Sequence, residues 1–120
     1  MRFLMIYKPD SRDSESGAPP SPQEMAEMGK LISEMAAAGV LLAAEGCQPT
    51  SKGARVRLSQ GRFTVTDGPF TEAKELIAGF AIVQAKSRAE AIAWGERFLK
   101  VAGDGESEIR ELHEAPAFES

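Results

Sequence analysis

The sequence predicts an α+β fold in the order strand, helix, strand, hairpin, strand, helix, strand. Three observations predict it. Ser-x-x-Glu capping boxes open two helical patterns, at Ser21 and Ser87. Two short runs, RFLMIY at 2–7 and LIAGFAIVQA at 76–85, are apolar on both faces. Between them, ARVRLSQGRFTVTDG alternates apolar and polar residues around a polar SQG turn. Without that hairpin the order is βαββαβ, the ferredoxin-like pattern, whose first and third core strands occupy the middle of the sheet. The two doubly apolar runs fall at those two strands, as central strands should.

In the first run Phe3, Met5 and Tyr7 point one way, and Leu4 and Ile6 the other. The stretch KPDSRDSESGAPPSP is rich in Ser, Pro, Gly and charge, so residues 8–20 are expected to form an exposed, mobile loop. Ser21 then stands at an N-cap, Pro22 at the first helical position and Glu24 at the far end of the box. Met25, Met28, Ile32, Met35 and Ala36 recur on one helical face, and Gly39 stops the helix. VLLAAEG follows as a strand, and 46–53 as a loop.

In the hairpin Val56 and Leu58 match Phe63 and Val65, while Arg55 and Arg57 alternate with them and Arg62 lies across the turn. Thr71 is placed to cap a single helical turn before the second doubly apolar strand. The second helix buries Ala91, Gly95, Phe98, Leu99 and Ala102, with Trp94 on its flank. SEIRELHE reads as a polar edge strand anchored by Ile109, and 115–120 as a loose tail. Two helices cover only one face of such a sheet. If the other is apolar too, at Leu76, Ala78, Phe80 and Ile82 or at the alternating positions, something must cover it. A homodimer packed sheet to sheet is therefore expected.

The length of 120 residues suits one domain, 1–120. One cysteine, Cys47, and one histidine, His113, leave no thiolate cluster and no multi-histidine metal site. A net charge of −4 argues against nucleic acid as partner. The longest apolar stretch is too short to cross a membrane, and the N-terminal run too short for a signal core. A cytoplasmic protein is expected. GDGE follows a helix instead of joining a strand to one, so no nucleotide, flavin or haem cofactor is expected.

The densest polar chemistry lies in DGPFTEAKE at 67–75. Asp67, Gly68 and Pro69 carry turn chemistry. The same Asp67 is also a candidate acid or base, should it point into a cleft. Glu72, Lys74 and Glu75 form either a solvated face or a cluster in which Lys74 keeps a carboxylate ionised. Arg57, with Arg55, is an outer-face residue or a clamp for a carboxylate or phosphate. Tyr7, at the end of a central strand, is either a buried tyrosine with its hydroxyl bonded or a substrate contact. Phe70 reads as a core or dimer contact, and joins the candidate binding set through its place in the motif.

DGPFTEAKE followed by LIAGFAIVQAKSRAEAIAWGERF, with the opening MRFLMIYK, resembles the YCII-related family in its DGPF-motif branch. The resemblance implies a bacterial, dimeric α+β barrel of ferredoxin-like protomers. The wider superfamily includes small ring-opening, isomerising and monooxygenase-type enzymes, and some DGPF members resemble accessories encoded beside alternative sigma factors. The resemblance also implies a histidine–aspartate pair. Asp67 can supply the aspartate, but His113 matches no motif position.

Two functions are expected from different classes. One is a cofactor-independent enzyme doing proton-transfer, isomerase or lyase-type chemistry on a small anionic or aromatic metabolite. Asp67, Lys74 and Glu75 would be its catalytic residues, Tyr7, Arg57, Phe70 and Glu72 its binding residues, and the 8–20 loop its lid. The other is a non-catalytic metabolite-binding or regulatory module.

Overall fold

β1 (Arg2–Pro9) and β5 (Gly79–Gln84) lie side by side at the centre of a four-stranded antiparallel sheet. β2 (Leu41–Gly46) flanks β5, and β6 (Gly105–Glu111) flanks β1. The computed structural model describes residues 1–11, 15–16, 19–70 and 76–114. β3 (Ala54–Ser59) and β4 (Arg62–Asp67) pair with each other as a separate hairpin. Leaving the hairpin aside, the strands run fourth, first, third, second across the sheet. That is the ferredoxin-like arrangement, with the two doubly apolar strands in the middle.

α1 (Pro22–Ala37) and α2 (Arg88–Ala102) cover one face of the sheet. Each begins as its capping box dictates: Ser21 Oγ accepts from the Glu24 N–H, and Ser87 Oγ from the Glu90 N–H, both at 3.1 Å. Strand alternation decides what they bury. Phe3 stands opposite Val83 and Met5 opposite Ala81, and Phe3, Met5 and Val83 join Leu31, Met35 and Ala91 of the helices in the core. Leu4 and Ile6, opposite Ile82 and Phe80, face the other way. No described helix lies over them, and Phe80 is 38% exposed.

Several expectations need correction. Met25 is 59% exposed and Ala36 is exposed, whereas Leu31 is 3% exposed. The cause is tertiary. Leu31 shares a groove with Val101 of α2, and the Arg97–Glu34 ion pair bridges the two helices there. Helical period alone reports the stripe toward the sheet, not this second contact.

β1 runs on to Pro9, paired with Gly105, so Lys8 and Pro9 leave the predicted loop. Lys8 Nζ sits 2.7 Å from Glu108 Oε1. β6 begins at Gly105 and ends at Glu111, which places His113 beyond the strand, exposed. Strand pairing in the second apolar run starts at Gly79, although Leu76 is already buried. The predicted turn at Thr71, the tail 115–120, and residues 12–14 and 17–18 of the loop lie outside the described residues.

The hairpin turns on Gln60 and Gly61, both in the left-handed region at φ 50° and 77°. That two-residue geometry matches the twist of the flanking strands. Val56 pairs with Val65 and Leu58 with Phe63, while Arg55, Arg57 and Arg62 share the opposite face. Among the described elements, β3 and β4 pack chiefly on each other.

Candidate functional site

Sequence explains why the helix layer and the sheet fail to meet at one end. There the residues lining the gap are small: Ala44 and Gly46 on β2, Ala78 just before β5, and Gly79 and Ala81 on it. Gly79 is small by necessity, since a Cβ would sit 2.8 Å from the Glu45 carbonyl oxygen on the neighbouring strand. The result is a cavity of ≈ 310 Å³. Met28, Ile32 and Met35 of α1 form its roof, Met5, Leu41 and the small residues its floor, and Phe98 and Tyr7 one side. That volume lies at the lower end for small-molecule sites.

The walls are almost wholly apolar. Among the described residues that line the cavity, Tyr7, Ser107 and Glu45 alone carry polar side chains. Tyr7 packs edge-on against Phe98, with ring centroids 5.3 Å apart and planes at 72°. Its hydroxyl lies 3.4 Å from the carbonyl oxygens of Ala102, the last residue of α2, and of Gly103 and Asp104 after it. A hydroxyl has one proton to donate, so three contacts this long hold it loosely.

Burial, and then the carboxylates of Asp10 and Asp104, raise the Tyr7 pKa above its ordinary 10.0. The phenol is therefore neutral near pH 7, a donor and not a base. Tyr7 is the sole tyrosine, so tyrosinate absorbance reads it alone. The expected titration midpoint lies above 10, and a midpoint below 10 in the folded protein contradicts this environment. Because the folded-state pKa is raised, the associated stability is complete below about pH 10 and is lost as pH climbs through the folded value.

The DGPF stretch sits elsewhere. Asp67 ends β4, exposed, opposite Ala54 in the register. The next residues are clasped to the turn before β3. The Gly68 N–H donates to the Gly53 carbonyl at 3.0 Å, and the Phe70 N–H to Thr50 Oγ1 at 3.0 Å. Thr50 is held in turn by Glu15, whose carboxylate accepts from the Thr50 N–H at 2.9 Å and from its hydroxyl. The Arg55 guanidinium lies 3.8 Å over the Phe70 ring.

Of the expected site residues that are described, Tyr7 lines the cavity, and neither Asp67 nor Phe70 does. Arg57 is exposed on the outer face of the hairpin. Glu72, Lys74 and Glu75 lie outside the described residues. Sequence reasoning missed Thr50 and Glu15, which carry no motif, and the cavity floor, whose signal was the small residues of LAAEG and AGFA.

The sequence pattern of the YCII-related domain matches residues 1–115. The chain belongs to the YCII-related family. Among curated proteins none matches this YCII-related chain. Among solved structures it is similar to the 5-chloro-2-hydroxyhydroquinone dehydrochlorinase of Burkholderia phenoliruptrix AC1100 in complex with 2,5-dihydroxybenzoquinone. The two share 15% identity over 96% of each chain, with a TM-score of 0.48.

In this YCII-related chain His113 does not line the cavity, and its carbonyl accepts from Arg2 at 3.0 Å. The histidine–aspartate pair implied by the family resemblance thus has no counterpart among the cavity walls. No group of His, Cys, Asp or Glu among the described residues is arranged to hold a metal ion. None of the described helices is long and apolar enough to cross a membrane.

Proposed function

We propose that this protein, as a member of the DGPF branch, binds a small, mainly apolar or aromatic metabolite in the cavity beneath α1. One observation carries the reading. The cavity pairs flexible methionine walls with a single neutral phenol at its side. Methionines adapt to irregular shapes. Burying about 150 Å² of an aromatic ring contributes roughly 4 kcal/mol at ~25 cal/mol per Å², which alone corresponds to millimolar affinity. A polar anchor is needed beyond that, and Tyr7 or Ser107 is placed to supply one. No lysine or arginine among the described residues lines the cavity, and these apolar walls support an aromatic ligand. The protein then acts as a metabolite-binding or regulatory module, working as a homodimer whose sheets pack through Leu4, Ile6, Phe80 and Ile82.

A second reading keeps proton-transfer chemistry, with Asp67, Lys74 and Glu75 as the catalytic group and Arg57, Phe70 and Glu72 at the substrate. The course of the chain supports it, because the motif runs on directly into Ala78 and Gly79 at the cavity. A thermal-shift screen of neutral phenols and aromatic carboxylates separates these readings. Wild type, Ala81→Leu and Asp67→Asn are compared. A phenol at a hundred times its dissociation constant should stabilise wild type by roughly 2.7 kcal/mol, and Ala81→Leu, which fills the floor, hardly at all. Equal shifts in wild type and Ala81→Leu contradict the cavity reading. Loss of the shift in a folded Asp67→Asn protein favours the second reading.

A further inference from the structure

The cavity leaves the hairpin unexplained. Val56, Leu58, Phe63 and Val65 stand together on one face of β3–β4, at 61–74% exposure. The two strands pack on each other, and on no other described helix or strand to a comparable degree. An isolated two-stranded ribbon is marginal in water, and a bare apolar face on it marks an interaction surface.

We propose that the β3–β4 hairpin is an arm that lays this apolar face on a second copy of the chain. The inference deepens the dimer reading above and rests on it. Area supports it: the arm alone supplies roughly half of the ~800 Å² per partner that a stable interface requires. Exposed Phe80 and half-buried Leu4, Ile6 and Ile82, over which no described helix lies, add to that area. Charge supports it too. Three arginines against Asp67 give 54–67 a formal +2 within a chain of −4, leaving −6 on the body. An arm is therefore drawn to another copy's body. Reach is sufficient, because six-residue strands at ~3.4 Å per residue carry the tip about 20 Å from its base. In a two-fold dimer the contact is reciprocal, each arm covering the other copy.

Light scattering over a concentration series tests this on wild type, Leu58→Ser/Phe63→Ser and Ile82→Glu. Amide exchange across 54–67 in wild type accompanies it, and does not depend on how the variants fold. The arm variant should keep its circular dichroism and raise the dimer dissociation constant at least tenfold. Amides of 54–67 should exchange slowly in the dimer and quickly after dilution. If the arm variant dimerises as tightly as wild type while Ile82→Glu does not, the arm is overturned and the sheet dimer stands. If wild type stays monomeric at every concentration, both readings fall. A monomer with protected arm amides also overturns the arm, since its face is then covered by its own chain.

Discussion

Replacing Gly68 with alanine should cost about 3 kcal/mol or more, at the top of the range for forcing extra atoms into a packed structure. A Cβ at this position would stand 1.6 Å from the Thr50 carbonyl oxygen and 2.5 Å from its carbon. Both are backbone atoms, so no side chain can swing aside. Thr50 cannot easily retreat either, because Glu15 holds its N–H and hydroxyl while Phe70 donates to its Oγ1. For a domain of this length the loss corresponds to roughly 12 °C in melting temperature. Asp67→Asn is the matched control. Its exposed side chain predicts a change within about 0.5 kcal/mol. A Gly68→Ala protein melting within ~4 °C of wild type would show that the clasp yields freely, and that the glycine is not there for close approach.

Phe3→Ala should destabilise by about 3–5 kcal/mol, the range for removing a fully buried aromatic ring. Phe3 is 1% exposed and faces Val83 at 0% across the two central strands. The ring lies where both helices and the sheet converge, so no neighbour can collapse into the space without breaking the β1–β5 register. Urea denaturation measures the loss. A cost below about 2 kcal/mol contradicts the placement of the core on this face. Against a typical total of 5–15 kcal/mol, either substitution threatens the fold at 37 °C.

These two residues differ in how far the sequence announces them. Phe3 is legible because it falls on one side of a short run apolar on both faces, and alternation with Leu4 and Ile6 sets its direction. The same logic places β1 and β5 at the centre and β6 at an edge. The capping boxes at Ser21 and Ser87 and the Gln60–Gly61 turn are local devices, and local devices can be read from local sequence. Gly68 was legible as turn chemistry, but its reason is a carbonyl 18 positions earlier.

Long-range contacts of that kind leave no trace in spacing. Leu31 is buried by α2, and Thr50 is bonded to Glu15, 35 residues away. The cavity was hidden for another reason: it is made by atoms that are missing. Ala44, Gly79 and Ala81 read as unremarkable strand residues until methionines are seen standing across from them. Asp67 was singled out for its chemistry, and the fold sets it at the exposed foot of the hairpin.

The methionines give the most direct test of ligand binding in the cavity. The chain has five. Met5, Met28 and Met35 line the cavity, whereas Met1 and Met25 are 49% and 59% exposed away from it. Methyl-labelled methionine NMR, titrated with the phenol that gives the largest thermal shift, reads all five at once. The cavity account predicts saturable shifts at Met5, Met28 and Met35, with Met1 and Met25 unmoved. Shifts confined to Met1 or Met25, or none at a concentration that stabilises the protein, would contradict it.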